Sequence, residues 1–114
     1  MSRGAVWMVA LPFMPGREQS GHRPAIVIQD SVYGQGSPLV LVVPLTSQLA
    51  AQRFPATVRI EPSATNGLSV PSVALVFQTR ATDRERFVRR IGELSERDLD
   101  RVLAELSHLT GRPH

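Results

Sequence analysis

As far as about residue 93, apolar positions come in short runs broken by turn formers, a pattern that predicts strands rather than helices. In residues 5–11, Val6, Met8 and Ala10 alternate with Trp7, Val9 and Leu11, which predicts a first strand. Residues 25–29 predict a second. Residues 39–45 read LVLVVPL without a polar break, so the third strand is expected to be buried on both faces. Pro44 has no N–H to give a ladder and limits pairing at that strand's far end. Shorter runs at 56–60, 72–79 and 87–91 complete the set. The segments 12–21, 33–38 and 62–71 carry the breakers between strands. Several short strands at this spacing predict a small barrel.

The period then changes. Ser95 precedes Glu96-Arg97-Asp98, a helix N-terminus with a hydroxyl cap and acids at the positive end of the dipole. Leu99, Val102, Leu103, Leu106 and Leu109 form one apolar stripe, which Gly111 and Pro113 stop. This stripe is expected to pack on the barrel or on a partner subunit. The whole is a mainly β, α+β chain, one domain over residues 1–114, with no internal repeat.

Composition narrows the setting. No cysteine is present, so disulfides and thiolate metal sites are not available and a reducing cytoplasm is the simplest home. Arg3 ahead of the apolar stretch 5–14 resembles a leader, but Pro12 interrupts it and Pro15-Gly16-Arg17-Glu18 offers no small-residue cleavage site. No run approaches the roughly 20 apolar residues of a membrane span. The net charge is +3, and all thirteen basic residues are arginine. A GC-rich coding sequence would produce that bias as readily as selection for phosphate binding. The placement says more: Arg80, Arg84, Arg86, Arg89 and Arg90 face only Asp83 and Glu85 in one short window, a basic edge that favours a polyanion partner.

Two polar clusters could carry chemistry. The loop before the second strand holds Arg17, Glu18, Gln19, Ser20, His22 and Arg23, and Pro24 biases Arg23 toward extended geometry. The alternative for Arg23 is a surface arginine paired with Glu18. The third strand ends at Thr46-Ser47-Gln48, where hydroxyls serve equally well as a turn or cap. His22, His108 and His114 show no metal-ligand spacing, and Gly34-Gln35-Gly36 lacks the helix a phosphate loop needs, so no metal and no cofactor are implied.

RNA brings its own nucleophile, the 2′-hydroxyl, so a protein need only orient it, move protons and stabilise charge on the phosphorane. Arg23 and Thr46 fit the stabilising role. Arginine fits general base badly, because its pKa lies above 12. Glu18 or His22 is the better proton acceptor.

Arg3-Gly4 before Val6-Trp7, then Gly16-Arg17-Glu18-Gln19-Ser20-Gly21-His22-Arg23-Pro24, then Pro44-Leu45-Thr46-Ser47-Gln48, together resemble the MazF/PemK family of toxin ribonucleases. Ser72-Val73-Ala74-Leu75 with Gln78, and the terminal helix after Leu94-Ser95, match as well, so the resemblance runs nearly the whole chain in order. It implies an SH3-like barrel with a C-terminal helix, a homodimer, and metal-independent, sequence-specific cleavage of single-stranded RNA to 2′,3′-cyclic phosphate and 5′-hydroxyl ends. Cleavage of mRNA would inhibit translation and growth. The family's catalytic pair falls on Arg23 and Thr46, with the loop acid on Glu18. RNA contacts would come from Gln19, His22, Ser47, Gln48 and Gln78. A cognate antitoxin with a disordered tail is the implied protein partner.

Ala5 and Phe77 stand where the family often has aspartate, and Arg17 replaces a small or polar loop residue, which leaves RNA sequence preference open. Two further readings compete. A gyrase-poisoning toxin of the CcdB type shares the barrel, but its Trp-Gly-Ile terminus is missing here. A barrel that binds RNA or antitoxin without cutting has the same sequence pattern.

Overall fold

The computed structural model describes residues 1–11, 21–34 and 36–111, which contain seven strands. They are β1 Ala5–Ala10, β2 His22–Val27, β3 Leu39–Thr46, β4 Thr57–Ile60, β5 Ser72–Leu75, β6 Arg80–Asp83 and β7 Phe87–Glu93. All ladders are antiparallel, in the order β4-β5-β3-β2-β1-β7, with β6 added to β3. Two helices join them: α1 Ser31–Gly34, a single turn, and α2 Glu96–Leu109.

Strand β3 is the hub. Its residues 39–42 pair with β6, residues 42–44 with β2, and its last residues, Leu45 and Thr46, with Ala74 and Val73 of β5. As its unbroken apolar run predicts, it is buried on both faces: Val43 and Leu45 enter one core cluster, Val40 and Val42 the other. The first cluster lies under α2, whose Val102 is fully buried with Leu99, Leu103 and Leu106 packed against it. The second holds Ala5, Val9, Ala25, Val27, Val73 and Leu75, with Trp7 edge-on to Phe87 at 5.7 Å. The Ser95 cap forms as expected, its hydroxyl accepting from the Asp98 N–H at 3.1 Å. Leu109 departs from the expected stripe and is exposed.

Four differences from the sequence reading have local causes. The sheet does not close into a barrel: β6 and β7 share no ladder among the described residues and meet through the turn Arg84–Arg86. The run 72–79 is a strand only to Leu75, because a 3₁₀ turn at Val76–Gln78 ends it. The loop expected over 33–38 begins inside α1, where Asp30 Oδ1 accepts from the Val32 N–H at 3.0 Å. Strand β6 reads R-A-T-D, with no apolar alternation to announce it. No helix among the described residues is long and apolar enough to cross a membrane.

Candidate active site

Strand β2 begins three residues earlier than its apolar run, so His22-Arg23-Pro24 belongs to the strand and not to the loop. These residues pair with Ala10, Val9 and Met8 of β1, whereas the β2–β3 ladder starts only at Ala25 opposite Pro44. Pro24 therefore sits where β2 has a partner on one side alone, a position proline tolerates. Carried two residues further, the same register would set Arg23 opposite Thr46. There β3 has already left β2, with Pro44 as the last pair, and joined β5. The parting of these two ladders is where the candidate site forms.

Arg23 and Thr46 share the strand faces of Ala25, Val27 and Val42. Arg23 is only 2% exposed and is the bulkiest of the fully buried side chains, which overturns the reading of a surface arginine. A cation held out of water acts through a field that salt and solvent screen weakly. Thr46 is 7% exposed, and its Oγ1 accepts the Gln48 N–H at 3.2 Å. The expected turn role is thus present, and it does not compete with chemistry. The N–H takes a lone pair and leaves the hydroxyl proton available to donate.

A cleft of about 670 Å³ is lined by both residues, with Ser47 beside Thr46 and with Arg89 and Arg90 of β7. Gly67, Leu68, Ser69 and Val70 also line it. That segment is held by Asn66, a residue sequence reasoning passed over and which is 1% exposed. Its Oδ1 accepts from the Ser63 and Leu68 N–H groups at 3.1 and 3.0 Å, and its Nδ2 donates to the Glu61 carbonyl at 2.9 Å. Gly67, at φ +74°, lies so close to β7 that an added Cβ would fall 2.0 Å from the Ile91 carbonyl oxygen. The wall is therefore seated directly on the strand that carries the two arginines.

The basic window 80–90 divides. Arg89 and Arg90 reach the Arg23 cleft, and Arg90 also pairs with Glu93 at 2.9 Å. Arg84 is tied down, its Nε donating to the Ser37 carbonyl at 2.8 Å. Arg80 and Arg86 line a smaller, separate cleft of about 160 Å³ beside Leu11. One basic edge in sequence becomes three different environments.

Thr46 also lines a second cleft, of about 230 Å³, together with Gln48 and Gln78. The structure thus brings Arg23, Thr46 and Ser47 together, and joins Gln48 and Gln78 to them through Thr46. His22 lines neither cleft and, next to Arg23 in an alternating strand, takes the opposite face. Glu18 and Gln19, with Arg17 and Ser20, lie outside the described residues. Asn66-Gly67 is a turn signal that could have marked the wall; nothing in sequence marks the exposed Phe54 that borders the second cleft.

Comparison with known proteins identifies the family. Residues 2–110 match the family model described as PemK-like, MazF-like toxin of type II toxin-antitoxin system. The chain is 32% identical over 102 residues to endoribonuclease EndoA of Bacillus subtilis, covering 90% of this chain and 87% of that protein. It resembles the crystal structure of MazF from Deinococcus radiodurans with a TM-score of 0.76 and 28% identity, over 97% of this chain and 96% of that one. An endoribonuclease in complex with its cognate antitoxin from a mycobacterial species shares the fold at a TM-score of 0.78, with 18% identity over 100% of this chain and 98% of that one.

Proposed function

Since the chain belongs to the PemK-like, MazF-like toxins of type II toxin–antitoxin systems, we propose that its endoribonuclease activity resides in the cleft shared by Arg23 and Thr46. Membership in this family sets aside the gyrase-poisoning reading. The observation that carries the assignment is a desolvated guanidinium and a hydroxyl with an uncommitted proton lining one cleft at the parting of two ladders.

Single-stranded RNA is the proposed substrate, cut at short sequence motifs without a metal. The substrate's 2′-oxygen forms a bond to phosphorus as the bond from phosphorus to the 5′-oxygen breaks, leaving a 2′,3′-cyclic phosphate and a 5′-hydroxyl. Charge accumulates on the non-bridging oxygens, where the Arg23 fork and the Thr46 hydroxyl donate. Glu18 is the proposed acceptor of the 2′ proton, and water supplies the proton that the departing 5′-oxygen takes up. Gln19, His22, Ser47, Gln48 and Gln78 are proposed to contact the RNA, with Arg89 and Arg90 extending the electrostatic track. A homodimer, a cytoplasmic location, action on mRNA that stops translation and growth, and inhibition by a cognate antitoxin whose disordered tail enters the cleft complete the proposal.

Mixed-sequence single-stranded RNA incubated with the purified protein in EDTA tests it, with Arg23→Ala as contamination control. Discrete cuts ending in 2′,3′-cyclic phosphate, absent with the variant, are expected. Intact RNA with a folded wild-type protein would leave a non-cleaving RNA or antitoxin binder.

A further inference from the structure

Two of the chain's four phenylalanines face solvent side by side, Phe54 at 44% and Phe77 at 40% exposure, with ring centroids 5.8 Å apart and a 55° tilt. Both border the second cleft, next to Thr46, Gln48 and Gln78. They come from distant segments that the backbone locks together. The Phe77 N–H donates to the Ala56 carbonyl at 3.3 Å, and Ala56 is the one described non-glycine residue at positive φ, +58°. Such a conformation costs on the order of 1–3 kcal/mol and persists only where its surroundings hold it. Arg53 lies over the Phe54 ring at 4.5 Å and donates from Nη1 to the Ala50 carbonyl at 3.2 Å, which fixes that ring from outside.

We propose that this cleft is a nucleobase site: an unstacked base of the nucleotide beside the scissile phosphate stacks on Phe77, meets the edge of Phe54, and is read by the amides of Gln48 and Gln78. The inference rests on the endoribonuclease reading of the neighbouring cleft. Continuity supplies the occupant, because Thr46 lines both clefts, so a phosphate at its hydroxyl places an attached nucleoside within reach of the rings. Chemistry supplies the rest. Single-stranded RNA is recognised by bases splayed onto aromatic faces and hydrogen-bonded along their edges, and a carboxamide offers both a donor and an acceptor. The tilt makes a wedge, open to one base, and not a sandwich.

Cut sites mapped on random-sequence RNA should show a base preference at one position flanking the cut. Phe77→Ala and Phe54→Ala should flatten that preference while cuts continue. Phe77→Trp should restore it, and Phe77→Leu, which keeps apolar bulk without a stacking face, should not. In the Arg23→Ala background, where RNA survives, Phe77→Ala should weaken binding of an oligonucleotide carrying the preferred site roughly tenfold to a hundredfold. The tryptophan of Arg23→Ala/Phe77→Trp should be quenched by the same RNA, beyond any change seen in Arg23→Ala. An unchanged cut profile and affinity in Phe77→Ala, with its melting temperature preserved, overturns the site and leaves the endoribonuclease standing. Phe77-dependent binding of RNA that wild-type protein never cuts supports the site and overturns the cleavage reading.

Discussion

In the proposed mechanism the Thr46 hydroxyl serves two roles. It accepts the Gln48 N–H at the exit of β3, and it donates its proton to the substrate. Replacement by serine preserves both roles; replacement by valine keeps the branched shape and removes both. Thr46→Ser is therefore expected to stay within about tenfold of wild-type kcat, and Thr46→Val to lose on the order of 10²-fold or more. Single-turnover cleavage of one defined RNA by both proteins decides this. A Thr46→Val enzyme within tenfold of wild type would reduce the residue to a turn former. Arg23 was singled out in sequence by its place before Pro24, yet its burial was not visible there, because the ladders that enclose it come from β1 and from the divergence of β3.

Strands β2, β3 and β5 supply one side of the cleft, and its other wall is a loop held by the buried Leu68 and by its own hydrogen bonds. Asn66 makes three such bonds, and β7 accepts the loop at Gly67 and Gly92 with no room for a side chain at either. Asn66→Ala removes three bonds, one buried and two part-buried, and should cost on the order of 1–3 kcal/mol. For a domain of this length that lowers Tm by about 4–12 °C. Calorimetry measures it, and a Tm within about 2 °C of wild type would show that the loop stands without this brace. The helix needed no such tertiary information. Its cap, its first-turn acids and its stripe are all local, and Ser95 and Val102 behave as their spacing predicts.

Across the molecule, the fold sorts the arginines into those that line the cleft and those that hold the chain. For single strands the logarithm of affinity falls with the logarithm of salt by about 0.7 per phosphate neutralised. Arg89→Ala is expected to flatten that slope by about 0.7 for single-stranded RNA bound to the Arg23→Ala protein. Arg84→Ala should leave it unchanged, because its guanidinium is given to the Ser37 carbonyl. Fluorescence anisotropy from low to moderate salt reads both. Equal slopes for Arg89→Ala and its parent would place the RNA track away from β7. The sequence window alone treats these arginines as equivalent; only the path of β6, the turn and β7 separates them.

Local order along the chain was enough for the strands with clear alternation, for the doubly buried character of β3, and for α2, because each depends on neighbours a few residues apart. The Arg23-Pro24 and Thr46-Ser47-Gln48 elements were likewise readable as candidate chemistry. What lay beyond sequence depends on contacts between distant segments. Strand β6 exists because β3 offers it a partner, the sheet stays unclosed because Arg84–Arg86 turns where a ladder would close it, and Arg23 is buried because two ladders part beside it. Phe54 and Phe77 become neighbours because the β4–β5 ladder, which sets Thr57 opposite Leu75, continues in a hydrogen bond from the Phe77 N–H to the Ala56 carbonyl, a pairing that no local pattern encodes.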